Sequence, residues 1–309
     1  HNLGHTTNTP NRPPKEDTMK TRSMRWTSMT RRTAVGAIIA ASLSLSAPQM
    51  ATAGSVTVPA PGKSAIIDQI KDQGVLRAGI AIAPPWLLQD PKTGEHLGPI
   101  VEVGNRIASL LGVELELVPS GWAVIIAGLQ AKQFELAIAP LFATPKRKKV
   151  VDFVNWTKAG TCYAVLQTNN KINSLEDLNK PSVTIGTWTG TGTEHGIKEK
   201  YTKAKIHSIV QSVGGAHRFE DVIAKRIDVA PLDDAQAFVA VKQFPALKIL
   251  PGGPDHCVNN SDIPFPIGMG FNKKQPEFAK FLQAVVDDMK PEIQAALVKY
   301  SAVEYMLAE

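Results

Sequence analysis

Cysteine is nearly missing from this chain: there are two in 309 residues, Cys162 and Cys257. That excludes thiolate metal clusters and a dense disulfide scaffold. Histidine is scarce too. The five beyond residue 53 (His96, His195, His207, His217 and His256) show no metal-ligand spacing, so no metal site and no cofactor are expected. There is no Gly-x-Ser-x-Gly elbow, no Walker phosphate loop and no Cys-x-x-Cys pair, which removes the motif grounds for a serine hydrolase, a nucleotide-hydrolysing enzyme or a thiol oxidoreductase. No apolar stretch reaches the roughly 20 residues needed to span a bilayer. An excess of one charge is also lacking where it would matter. The formal charge is +6, yet seven of the 34 basic and two of the 28 acidic side chains fall in residues 1–53. The rest carries 27 basic against 26 acidic groups, so neither nucleic acid nor an anionic membrane is implied as a partner.

What is present first is a leader. Arg22, Arg25, Arg31 and Arg32 form a basic region, Ala34 to Ala47 is a 14-residue apolar run, and Ala51-Thr52-Ala53 offers a small-residue cleavage site. This pattern predicts a signal peptide cleaved near Ala53 and a periplasmic protein. Export would use the general route or, through Thr30-Arg31-Arg32-Thr33, the twin-arginine route. Residues 1–18, ahead of Met19, read as upstream sequence foreign to the leader. Neither cysteine follows the apolar run as a lipid-bearing one would, so the mature protein is expected to be free of a lipid anchor. In an exported chain the two cysteines are candidates for a disulfide; the other reading is two buried thiols.

The remaining 256 or so residues alternate strand and helix patterns, enough for two modest α/β domains. Val56–Gly62 reads as a linker and Ser64–Gln73 as a short helix ended by Gly74. Strands at 75–81, 113–118 and 134–139 alternate with helices at 100–111 and 122–132. After a further strand at 161–167 the pattern restarts. It has strands at 183–187, 206–210, 227–231, 247–250 and 264–271, with helices at 193–201, 217–225 and 234–243. Two helices, 276–289 and 291–307, close the chain. Alternation of this kind predicts mostly parallel sheets covered by helices.

Two places carry chemistry. Arg147 sits in a Thr-x-x-Arg turn directly after the strand at 134–139. Its planar fork suits bidentate capture of a carboxylate, and the carboxyl end of a strand is where open α/β folds bind ligands. Gly190-Thr191-Gly192-Thr193 follows a later strand and opens a helix, a second anion site. Two half-sites in successive α/β units imply one carboxylate held in a cleft between lobes.

The chain resembles the type 2 periplasmic solute-binding proteins of polar amino acid ABC importers, the family 3 extracellular solute-binding proteins. The resemblance covers nearly all of 64–309. It rests on Gly74-Val75-Leu76-Arg77-Ala78-Gly79-Ile80, Pro84-Pro85-Trp86, Gly98, the run Leu129 to Ile138, Thr144-Pro145-Lys146-Arg147 through Asp152-Phe153, Ile172 to Leu178, Ile185-Gly186 through Thr193, and Arg226 to Asp233. It implies an α/β, two-lobed periplasmic binding protein of type II with two crossover hinge strands and closure on the ligand. Residues 54–160 and 266–309 would form lobe 1 and 161–265 lobe 2. The same resemblance places Arg147 and Thr144, with Thr191, Gly192 and Thr193, on the ligand carboxylate. It places Asp233 on the α-ammonium, with Asp234 the better helix cap, and Trp122 and Trp86 along the walls; Phe142, where the family carries a hydroxyl, is expected to fill space in the pocket. A Cys162–Cys257 bridge would staple the two ends of lobe 2. The implied partners are a small-molecule ligand, an amino acid or related carboxylate, and an ABC transporter permease; a monomer without catalysis is expected. The chain departs from the family at Ala83, Pro140, Phe142 and Gly98-Pro99-Ile100, so the side-chain pocket is expected to be rebuilt. Periplasmic cyclohexadienyl dehydratases look similar; on that alternative Glu194 would be the acid. A sensory module detached from transport is the third reading.

Overall fold

A computed structural model describes residues 56–211 and 217–301. The leader, its cleavage site and the end of the last predicted helix lie outside them. Helix α1 (Ala65–Gln73) starts where the Ser64 hydroxyl accepts from the Ile67 amide, buries Ile67 and Ile70, and stops at Gly74, whose φ of 70° is left-handed. Strand β1 (Val75–Ile80) follows, then a small hairpin of β2 (Leu88–Gln89) and β3 (His96–Leu97). Helix α2 (Pro99–Leu111) has proline in its first turn and turns Ile100, Val103, Ile107 and Leu111 inward, one apolar stripe at helical spacing. Then come β4 (Glu114–Pro119), α3 (Ile125–Gln130), β5 (Leu136–Phe142) and the single turn α4 (Pro145–Lys148). Every residue of β5 is buried, as a central strand covered on both faces requires.

Strand β6 (Val151–Leu166) runs for 16 residues. After it come β7 (Thr184–Trp188), α5 (Gly192–Lys200), β8 (Lys205–Ile209), α6 (His217–Ile223) and β9 (Val229–Asp233). The chain continues through α7 (Ala237–Gln243), β10 (Leu247–Leu250), α8 (Pro254–Asn259), β11 (Asp262–Asn272), α9 (Pro276–Asp288) and α10 (Lys290–Tyr300). The strand order is β4-β1-β5-β11-β6-β9-β7-β8, with β10 also on β6. The triplets β4-β1-β5 and β9-β7-β8 are each parallel, as the alternation predicts. β6 and β11 are antiparallel to their neighbours and join the two triplets. β6 pairs with β11 as far as Thr161 and with β9 from Thr161 onward.

The core divides the same way. One cluster joins α1, α2, β1, β5 and the C-terminal helix α9, through residues such as Ile107, Leu136, Phe278 and Val285. Separate clusters lie on the other triplet, around Ala164, Ile227, Ala230 and Leu232 and around Tyr163, Ile185 and Val229. Cys162 on β6 and Cys257 in α8 are both fully buried and form a disulfide, with Cα atoms 6.0 Å apart. The expected bridge is therefore present, and the alternative of two free thiols is excluded.

Three predicted elements differ. The strand expected at 161–167 begins ten residues earlier, because Val151–Gly160 pairs with β11 despite its mixed polarity. The helix expected at 122–132 shrinks to Ile125–Gln130, since Gly121 at φ 91° and the residues after it form a turn. The helix expected at 234–243 opens with a 3-10 turn, Asp234–Gln236.

Candidate functional site

A cavity of about 110 Å³ lies outside the carboxyl ends of four strands, two from each parallel triplet. Ile82 to Pro84 follow β1, Pro140 and Phe142 end β5, Thr187 and Trp188 end β7, and Asp233 ends β9. This is the crevice where open α/β sheets bind ligands. Most of the wall is apolar, and among the described residues that line it the charged ones are Arg147, Arg218 and Asp233.

Arg147 is held by its own turn. The Thr144 hydroxyl accepts from the Arg147 amide at 3.3 Å, and Pro145 takes the first helical position. The guanidinium donates to the Phe142 carbonyl at 3.0 Å and to the Gly190 carbonyl at 2.9 Å, so it reaches across the cleft. The residue is 8% exposed. Burial lowers its pKa to about 10, which leaves it charged at neutral pH. No carboxylate among the described residues pairs with it; two of its five N–H donors are spent on backbone.

The opposite wall is the start of α5. Thr191 caps that helix, accepting from the Glu194 amide at 3.1 Å and donating to the Trp188 carbonyl at 2.8 Å. Gly190 has φ 82°, and a Cβ there would stand 2.6 Å from the Ala123 Cα. At Gly192 a Cβ would stand 2.4 Å from the Phe142 Cβ. Both glycines allow the lobes to touch. Two more contacts cross the cleft: the Gln236 amide donates to the Pro84 carbonyl at 2.7 Å, and Val239 packs with Leu88, Ala296 and Tyr300.

Asp233 occupies the cap position of the Asp234–Gln236 turn, but its side chain makes no capping bond. Burial raises its pKa to about 6, against the pull of Arg218 and with a further push from Asp234. Asp234 is used elsewhere: its carboxylate accepts from the Gly160 amide, the Ser261 hydroxyl and the Ala235 amide. Glu194 is also turned from the cavity. It accepts from the Gly190 amide at 2.8 Å, Lys198 at 2.7 Å and the Ser208 hydroxyl at 2.6 Å. Burial pushes its pKa up, and these three donors outweigh that and hold it low.

The cavity thus brings together Arg147, Phe142, Thr191, Gly192, Thr193, Asp233 and Trp122. Trp122 is fixed there by its indole N–H, which donates to the Ile82 carbonyl at 3.3 Å. Two expected residues stand back. Trp86 is buried in the core of the β1 lobe and stacks on Trp156 with ring centroids 5.9 Å apart, so it is not a wall of the cavity. Thr144 caps α4 and serves Arg147 from behind. Of the departures read in the sequence, Ala83, Pro140 and Phe142 all line the cavity, whereas Ile100 is core.

Among the lining residues that sequence reasoning passed over are Arg218, Trp188 and Gln236. The Arg218 guanidinium lies 5.3 Å from the Trp188 ring centroid and donates to Gln236 at 3.2 Å. Trp188 ends a strand and was accessible to the same strand-end rule that found Arg147. Arg218 and Gln236 carry no local signature; Arg218 is brought to the cavity by α6 and Gln236 by the turn after β9.

Residues 76–301 match the family described as bacterial extracellular solute-binding proteins, family 3. The L-cystine-binding protein of Escherichia coli K12 is 24% identical over 197 residues, 63% of this chain and 72% of that protein. The cyclohexadienyl dehydratase of Pseudomonas aeruginosa is 22% identical over 185 residues, 59% of this chain and 67% of that enzyme. Among solved structures, an ancestral amino acid-binding protein described as a precursor of cyclohexadienyl dehydratase is 30% identical, with a TM-score of 0.64 over 76% of this chain and 97% of that one. A second structure of it, 29% identical with a TM-score of 0.56 over 76% and 99%, is described as a cationic amino acid solute-binding protein. The fold is the two-lobed type II arrangement of such proteins.

Proposed function

The chain belongs to the bacterial extracellular solute-binding proteins of family 3, and from that membership we propose that it captures an amino acid or amino-acid-like carboxylate between its lobes and delivers it to an ABC transporter permease. The observation that carries this is Arg147: a buried cation with no carboxylate partner among the described residues, gripping backbone carbonyls on both sides of the cavity. A buried charge is stable only when its counter-charge is supplied. A ligand carboxylate supplies it and uses the donors left over, with Thr191 to Thr193 closing from the other lobe. Asp233, uncommitted to capping, takes the ligand's ammonium. Trp122 and Phe142 wall the side chain. The lobes are 54–160 with 266–309, and 161–265; they close about β6 and β11, tied by Asp234 to Gly160 and Ser261. The protein acts as an exported monomer in the periplasm.

The dehydratase reading needs an acid free to reach the substrate. Glu194 is engaged by three donors away from the cavity, which favours capture over catalysis. A thermal-shift screen against the amino acids and small carboxylates tests the proposal. A true ligand at 100 times its dissociation constant stabilises by about 2.7 kcal/mol. If no amino acid or carboxylate raises the melting temperature, solute capture at this cavity is wrong.

A further inference from the structure

Thr187, near the end of β7, is a polar residue of the cavity wall to which the proposed site gives no role. It is 2% exposed, and its buried hydroxyl has no hydrogen-bond partner among the described residues. A buried hydroxyl left unpaired costs free energy, which a ligand group bonded to it recovers. Its place in the sheet says which part of a ligand it meets. β7 and β9 are parallel neighbours, with Ile185 opposite Val229 and both side chains in one core cluster. Side chains alternate faces along a strand, so two residues on, Thr187 stands level with Pro231 on that same face, and Asp233 two residues beyond shares it. With strands about 4.8 Å apart and a rise of about 3.3 Å per residue, the Thr187 and Asp233 Cα atoms lie about 8 Å apart. Pro231 stands between them without a polar side chain, and an ammonium seated over it reaches both. Thr161, opposite Asp233 on β6, also has an unpaired hydroxyl, but it is not among the described residues that line the cavity.

The needs of the ligand favour the same assignment. Its carboxylate is served by Arg147 and the start of α5. Its ammonium carries three N–H donors, and Asp233 is the one carboxylate among the described residues that line the cavity. The end of β5 gives the ammonium no side-chain acceptor: Pro140 and Phe142 are apolar, and the Phe142 carbonyl is taken by Arg147. We propose that Thr187 is a ligand-binding residue, its hydroxyl accepting from the α-ammonium of an amino acid beside Asp233. This rests on the reading of the cavity as an amino acid site, and it adds a residue to which the resemblance gives no role.

The test is titration calorimetry of the folded protein with the standard amino acids and then with the deaminated counterpart of the tightest binder: glutarate for L-glutamate, 3-phenylpropionate for L-phenylalanine, 6-aminohexanoate for L-lysine. Competition against the amino acid reads a counterpart too weak to titrate directly. Thr187→Val should weaken the amino acid at least about tenfold and its counterpart by less than about twofold. Thr187→Ser, which keeps the hydroxyl, should recover most of the loss. Ligand-free Thr187→Val should melt no lower than wild type, because a methyl replaces an unpaired hydroxyl. A lower melting temperature, or a variant that does not fold, would show that the hydroxyl serves the fold and would overturn the proposal. Unchanged affinity for the amino acid, or equal losses for it and its counterpart, would overturn it while solute capture stands. A counterpart that binds wild type as tightly as its amino acid would remove the ammonium site, Thr187 and Asp233 together, and leave carboxylate capture. No binding of any amino acid would overturn the proposal, and failure of the wider carboxylate screen as well would bring down solute capture with it.

Discussion

Asp233 illustrates how a residue suited to a ligand can strain the empty protein. Its pKa rises from 3.8 to about 6, mainly through burial. The folded chain therefore keeps a proton that the unfolded chain has already lost, so stability falls as pH rises from about 4 to about 6. A shift of that size corresponds to about 3 kcal/mol, lowered to about 1–2 kcal/mol by the partial solvent access of the side chain. Asp233→Asn removes the ionising group. The ligand-free variant should be more stable than wild type at pH 7 by that amount, and equal to it near pH 4, in urea denaturation at both pH values; a destabilised variant at pH 7 would show that Asp233 serves the fold. The same variant should lose affinity for any ligand with an ammonium. Arg147 and Asp233 were legible because each follows a strand in the register of the resemblance. Trp86 was placed along the walls by the register of the resemblance alone, whereas its ring packs on Trp156, far along the chain. Arg218 was illegible: on sequence it is one more charged helix residue.

At the scale of elements, the start of α5 lies against the end of β5, with no room for a side chain between them. Gly192→Ala would place a Cβ 2.4 Å from the Phe142 Cβ, inside any real contact distance. The lobes then have to separate, so the variant should fold, bind at least about tenfold more weakly, and show a larger radius of gyration with saturating ligand in small-angle scattering. Unchanged affinity and radius would mean that closure does not need this contact. The Cys162–Cys257 bridge spans 95 residues, for which the chain-entropy model gives roughly 4–5 kcal/mol of stabilisation. The double variant Cys162→Ser/Cys257→Ser should be less stable by several kcal/mol on equilibrium denaturation, with no loss of stability if the bridge is idle. Most elements were readable because buried strands are short apolar runs and α2 and α9 are amphipathic. Two were not. The first ten residues of β6 mix Asp, Asn, Trp and Lys with apolar side chains, since they pair with β11 along one edge and several of their faces are partly exposed. Helix α8 is six polar-rich residues without apolar period, yet it carries Cys257.

The two lobes were visible in the sequence as a strand–helix pattern that stops and restarts, and the sheet joins them by the two long strands that the resemblance implied. Closure was implied by the resemblance, but the contacts across the cleft were not legible, because they join distant segments: Arg147 to Gly190, Gln236 to Pro84, and Val239 to Leu88 and Tyr300. On the proposed function one arginine carries the arrangement, because it bonds to both sides of the cavity and has no carboxylate partner among the described residues. The most direct measurement is therefore titration calorimetry of wild type and Arg147→Ala with the solute found by screening, with circular dichroism to verify that the variant is folded. Removing one partner of a buried charge-assisted pair should cost about 2–5 kcal/mol, a loss of at least about 30-fold in affinity. A folded Arg147→Ala protein that binds the solute as tightly as wild type would contradict the carboxylate site outright.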